Sequence, residues 1–130
     1  MASDLLVSQT KDFIKLAMAN TERVYRDSII DISIEANLPT TQGGRMPVVT
    51  GKLRESICAT SDAGSFTGST GFTAAITQAS PLSSIRVGWN APYATAVEFG
   101  TGSTSPRAFA RGATLGWQAT VELNARKVNP

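Results

Sequence analysis

The sequence predicts an α+β domain: a long N-terminal helix and a C-terminal helix packed on a small antiparallel sheet of about three or four strands. Three observations carry that prediction. Apolar residues recur at helical spacing through the first part of the chain, with no glycine or proline before Pro39. A middle region rich in Gly, Ser and Thr contains short alternating apolar runs, the pattern of half-buried strands. After Pro106 a second ladder begins, with Phe109, Ala113, Trp117, Val121 and Ala125 each four residues from the last. The 130 residues suit a single domain spanning residues 1–130, large enough to bury a core without staples.

Ser3 or Asp4 is placed to cap the first helix. Ile14, Met18, Tyr25, Ile29 and Ile32 share one of its faces, and Phe13, Ala17 and Val24 form an adjoining stripe. Asp12, Lys15, Glu22, Arg23 and Arg26 fall on the other side. The apolar arc is broad, about 160°, as for a helix laid across a sheet. Its Ile-rich end alternates after Asp31 and is expected to fray toward extended structure. Residues 37–46 read as a loop. Thr50 is a suitable N-cap for a short helix over residues 51–57, whose Leu53 and Ile57 point inward together. Cys58, Ala59 and Thr60 then turn extended.

Between Asp62 and Pro106 the only charged residues are Arg86 and Glu98, and no lysine occurs between Lys52 and Lys127. Residues 63–71 read as a mobile hairpin tip, and residues 72–78 and 83–89 as strands joined through residues 79–82. Soluble proteins blunt exposed sheet edges with charge, so an uncharged sheet either hides its edges or pairs them with another chain.

The most determined stretch is residues 87–101. A β-leaning run (Ile85, Val87, Trp89) stops at Asn90-Ala91-Pro92, which is turn chemistry. Pro92 suits a first helical turn, and residues 93–99 make about two turns of helix. Tyr93, Val97 and Phe99 do not fit one narrow stripe, so this helix is expected to be buried on more than one side. Gly100 follows where a helix end often needs positive φ. Residues 100–105 are a flexible loop, after which Ser105 can cap, and Pro106 open, the final helix. Gly112 and Gly116 weaken that helix but permit close approach of a neighbour.

Several kinds of chemistry are excluded. There is no histidine, hence no Ser–His or Cys–His dyad and no His-ligated zinc. The one cysteine, Cys58, cannot form an internal disulfide and has no partner for a metal site. No catalytic residue, cofactor or metal is assigned. Glu98 sits among apolar residues and is expected to form a structural or interface ion pair with a cation such as Arg86 or Arg107. Gly100-Thr101-Gly102 ahead of Arg107 and Arg111 resembles a phosphate cradle only superficially, since the third glycine of the dinucleotide fingerprint and a Walker lysine are both missing. The two arginines can still face DNA without reading its sequence. The net charge, +2, does not argue for nucleic acid by itself. Residues 1–40 carry four basic and six acidic groups, and the remainder eight and four, so the chain is mildly dipolar. No run is apolar enough to span a membrane, and the N-terminus lacks a basic signal-peptide region, so the expectation is a soluble, non-secreted protein with no membrane partner.

Three segments together resemble a known family. They are "PVVTGKLRESI" at residues 47–57, "VGWNAPYATAVEFGT" at 87–101 and "SPRAFAR" at 105–111. Their order and spacing are similar to those of the tail-completion and neck proteins of long-tailed bacteriophages, the family similar to lambda minor tail protein Z. The third segment departs from the family pattern, with Ala108 and Gly112 where prolines are usual. The resemblance implies a structural virion protein rather than an enzyme, located at the neck or head-proximal end of a tail and in the host cytoplasm during assembly. It implies a homo-oligomeric ring around the DNA path, a hexamer by analogy with tail symmetry. Its partners would be itself, other phage neck and tail proteins, and non-specifically the DNA in the channel. Thr50, Gly51, Tyr93, Glu98, Phe99, Gly100 and Phe109 are the structural or interface candidates on the matched motifs, with Arg107 and Arg111 as DNA-facing candidates. A tail terminator or head–tail connector is the alternative within the same class, and a non-virion nucleic-acid-binding module the alternative outside it.

Overall fold

One helix sets the frame. α1 runs from Ala2 to Ala36 without a break, long enough to pass across the rest of the protein and beyond it. The computed structural model describes residues 2–48, 51–103 and 105–128, with side chains inside α1 from residue 4 onward. After α1 come a 3₁₀ turn (Thr40–Gln42), α2 (Lys52–Glu55), β1 (Ile57–Ser61), β2 (Gly64–Thr67), α3 (Thr73–Thr77), β3 (Arg86–Trp89), α4 (Ala94–Phe99), α5 (Phe109–Thr114) and α6 (Trp117–Val128). The three strands form one antiparallel sheet in the order β2-β1-β3. Cys58 lies opposite Thr67 on one side and Gly88 on the other. The fold is therefore the expected α+β arrangement, with three strands.

The core has three buried clusters, and Trp89 packs against all of them. Ile57 and Ala59 of β1 pack with Phe72, Ala75 and Ile76 in and beside α3. Met46, Leu53, Ala94 and Phe109 form the second cluster, and Ile32, Ala36 and Ala113 the third. The Trp89 ring meets Phe109 edge to face at 4.8 Å. Its indole N–H donates to Asn37 Oδ1 at 3.0 Å. Asn37 is itself buried, donates to the Arg54 carbonyl and accepts from Arg54 Nε, so the end of α1 is tied to α2. A polar side chain this buried is stable only when its bonds are made, and here they are.

Three further bonds fix where α1 crosses the body. Tyr25 donates its hydroxyl to the Ser83 carbonyl at 2.8 Å. The Arg26 guanidinium donates to the carbonyls of Thr77 and Ala79. Glu22 pairs with Arg26 and accepts from the Leu82 backbone N–H at 2.7 Å. The uncharged α3–β3 connection thus obtains its polar partners from one helix face. On α6 the buried residue is Asn124, whose amide donates to Ser28 Oγ and Asp31 Oδ2. That pairing sets the register of α6 against α1.

Several expectations need correction. Residues 72–78 are not a strand. Phe72, Ala75, Ile76 and Ala79 are buried at helical spacing, and α3 forms there. The apparent alternation was too short to separate a period of 2 from one of 3.6. Residues 63–71 are not simply a hairpin tip, since β2 occupies Gly64–Thr67. The Ile-rich end of α1 stays helical to Ala36, because Ile32, Ser33 and Ala36 are buried and tertiary packing overrides the β-branched preference. The final helix neither begins at Pro106 nor runs unbroken. α5 starts at Phe109, and the chain turns at Leu115-Gly116 before α6. α1 is not laid across a sheet along its whole length, since its first half is exposed. The N-cap role of Thr50 lies outside the described residues; α2 follows Gly51, whose φ of 81° is a left-handed conformation that glycine adopts without strain.

Candidate functional site

The three segments quoted above meet in one place. β3 ends at Trp89, and the Asn90 N–H donates to the Ser56 carbonyl just past α2. Ala91-Pro92-Tyr93 then turn, and the Ala94 N–H closes on the Ala91 carbonyl. Pro92 thus lies in the turn rather than in the helix, which starts at Ala94. Gly100 follows α4 with φ 80° and ψ 174°, the positive φ expected of it.

α4 ends with unpaired carbonyls, as every helix does. The returning chain supplies the donors. The Arg107 N–H bonds the Val97 carbonyl at 2.9 Å, the Ala108 N–H bonds the Glu98 carbonyl at 3.1 Å, and Arg111 Nη2 donates to the same Glu98 carbonyl at 2.8 Å.

α5 has the complementary need, because its first N–H groups lack acceptors. Ala108 cannot cap it by side chain, and it holds φ at 49°. A proline, fixed near −65°, could not adopt that φ. The cap comes from Glu98 instead. One carboxylate oxygen accepts from the Ala110 N–H at 3.0 Å, and the other accepts from the Arg111 N–H at 2.9 Å and from Arg111 Nε at 3.2 Å. A negative charge at a helix N-terminus is stabilising, and both oxygens are committed. The Glu98 side chain is 8 % exposed. Its ion-pair partner is therefore Arg111, not Arg86 or Arg107. Arg111 also lies over the Phe99 ring, 4.4 Å from its centroid.

The sequence-derived candidates divide into two groups. Glu98 and Phe109 point inward and hold the junction. Tyr93 and Phe99 are exposed, contrary to the expectation that this helix would be buried on several sides; Ala94 and Glu98 are its buried residues. Gly51 and Gly100 serve the backbone turns at either end. Arg107 is exposed, whereas Arg111 is engaged with Glu98. Trp89 and Asn37 were not singled out in the sequence, although Trp89 alternates with Val87 and Ile85. Nothing marked Asn37 apart from other loop asparagines.

Two carboxylates elsewhere are shifted. A side-chain hydrogen bond from Ser69, reinforced by its backbone N–H, holds Glu55 below the ordinary 4.5. Ser80, by side chain and backbone, holds Asp62 below 3.8. Both pin turns. Among the described residues no group of three His, Cys, Asp or Glu is placed to hold a metal ion, and no helix is long and apolar enough to cross a membrane. Comparison with protein-family models, with curated proteins and with solved structures gives no match.

Proposed function

We propose that this chain is a structural protein of a phage virion, completing the tail or joining it to the head at the neck, and that it acts by assembling as a ring. The observation that carries the proposal is spatial. Three segments spread over residues 47–111 carry the family resemblance, and all three contribute to one packed unit through Leu53, Trp89, Ala94 and Phe109. Glu98 then stitches the second segment to the third. A set of motifs that is a set only in sequence would have no reason to converge.

The geometry at Glu98 supports a structural role for that residue, since both carboxylate oxygens accept from backbone and guanidinium donors and the side chain is almost wholly buried. Tyr93 and Phe99 stand outward beside it and are suited to contact a neighbouring virion protein. The same framework would serve a tail terminator or head–tail connector, and position in the particle separates these.

The test is genetic. Deleting the gene from the phage that encodes it should leave DNA-filled heads and assembled tail tubes but few infectious particles. Normal plating of the deletion, or absence of the protein from purified virions, would defeat the proposal.

A further inference from the structure

Every described side chain of α1 from Asp4 to Ala19 is exposed. These are not the residues of a solvated helix. Leu6 is 64 % exposed and Phe13 70 %, and Val7, Ile14 and Met18 add to the same broad apolar face. With Leu5 and Leu16 this arm leaves on the order of 700 Å² of apolar surface in water, close to what one side of a standard protein interface buries. Isolated exposed leucines need no explanation, but a continuous strip of this size does.

Where the arm joins the body, α1 and α6 enclose an open groove of ≈ 600 Å³. Its α1 wall runs from Phe13, Leu16 and Ala17 on the arm to Val24 and Tyr25; Trp117, Val121 and Ala125 form the other wall, and no charged side chain lines it. The molecule thus carries both an unpartnered apolar helix and an apolar groove of helix-binding character. The tip of the arm cannot enter that groove within one chain. The arm is a continuation of the groove's own wall, and no glycine or proline lies within α1 to bend it back.

Charge narrows the occupant. Asp4, Lys11, Asp12 and Lys15 are the arm's only charged residues, and they cancel. At the helical repeat they fall within an arc of about 100° away from Leu6, Phe13 and Ile14. A helix that lies on anionic lipid carries a basic polar face, and this one does not. A strongly charged protein partner would find no complementary field. A second copy of the same chain offers a groove as neutral and as apolar as the arm.

We infer that the N-terminal end of α1, led by Leu5, Leu6 and Val7, docks in the α1/α6 groove of a second copy of this chain. This names the subunit contact of the proposed ring and rests on that proposal for its biological setting. The tip of the arm, with Leu5, Leu6 and Val7, lies outside the groove, so tip and groove are unlike surfaces and a contact between them can repeat head to tail until it closes. It also moves the subunit contact away from the uncharged sheet, where sequence alone would have put it.

The experiment is sedimentation velocity on the full chain from micromolar to sub-millimolar concentration. Wild type is expected to self-associate. Leu6→Asp, on the arm alone, and Ala125→Arg, in the groove alone, should each weaken association about a hundredfold, as loss of a central interface contact does. Trp117→Ala provides a gentler groove variant, and circular dichroism checks that each is folded. The two defective chains, mixed, should form a one-to-one dimer, because one intact arm and one intact groove remain. A wild type that stays monomeric throughout overturns the inference. So does self-association indifferent to all three variants, an outcome that leaves a ring built on other surfaces intact. Vesicle binding through Leu6 without self-association would assign the arm to a membrane and equally overturn it. If the variants behave as expected but the protein is absent from virions, the neck proposal fails and the self-docking stands.

Discussion

Ile14 and Ile32 sit eighteen residues apart on one unbroken helix, five full turns, so they occupy the same face. Ile14 is 49 % exposed and Ile32 8 %. Met18 and Ala36 repeat the contrast with the same spacing, at 60 % and 3 %. Nothing in the local pattern distinguishes the two halves of α1. What differs is what stands opposite. The second half meets α5, α6 and the α3–β3 connection through Ala113, Asn124 and Ser83. Among the described residues no element covers the first half. An amphipathic period states that a face is made for burial; it does not state in which molecule.

The largest effect should come from breaking that contrast directly. Ile32→Ala is expected to cost about 2–4 kcal/mol in a denaturant melt, through lost burial and a residual cavity. Ile14→Ala, the same change on the same face, should shift the folded chain by less than about 0.5 kcal/mol when measured on monomer. Comparable losses at both positions would mean that the arm packs on its own body.

Glu98→Gln comes next. The neutral amide retains one acceptor, yet presents an NH₂ to N–H donors and leaves Arg111 without its partner. A loss of about 1–3 kcal/mol in thermal or chemical unfolding is expected. Self-association should be unaffected, because Glu98 lies in the junction and not on the arm.

Tyr25→Phe tests the point where the anchored half begins. Removing the hydroxyl that reaches the Ser83 carbonyl should cost about 1 kcal/mol. Hydrogen exchange gives the sharper readout. Amides of residues 28–36 should be strongly protected and those of residues 5–19 weakly so, with the boundary moving toward residue 28 in the variant. Protection of the arm in a confirmed monomer would contradict the contrast between the halves.

The smallest effect is that of acid. Glu55 and Asp62 are both held below their ordinary values, so the stability that they lend is complete above pH 4.5 and 3.8 respectively and is lost as pH falls through their lowered values. The melting temperature should fall across that range, and Ser69→Ala should reduce the part that belongs to Glu55, since the Ser69 backbone N–H still reaches the carboxylate. Both carboxylates are surface groups pinning turns on the body, so arm-mediated association should not follow the same curve.

The junction around Trp89 was more legible than α1 or residues 72–79. Asn90-Ala91-Pro92 read correctly as a turn, and Gly100 correctly as a positive-φ position, because those conformations are dictated by the residues themselves. Glu98 was legible as a paired carboxylate, but its partner was not. Arg86, Arg107 and Arg111 are equivalent in sequence, and only the return of the chain past α4 brings Arg111 to it. Residues 72–79 carried their helical spacing in plain view at Phe72, Ala75, Ile76 and Ala79, but eight residues cannot decide between two periods when Thr and Ile also favour strand.

The sequence by itself determined the α+β class, the long first helix, the turn before α4 and the scarcity of charge between Asp62 and Pro106, because periodicity, turn chemistry and composition are local properties. Only the tertiary structure decided that α3 is a helix, that Arg111 is the ion-pair partner, that Asn37 and Asn124 are buried structural groups, and that half of α1 is left uncovered. Each of those depends on which distant surfaces are opposed. Burial and hydrogen-bond satisfaction are properties of pairs of surfaces, and a one-dimensional pattern specifies only one member of each pair.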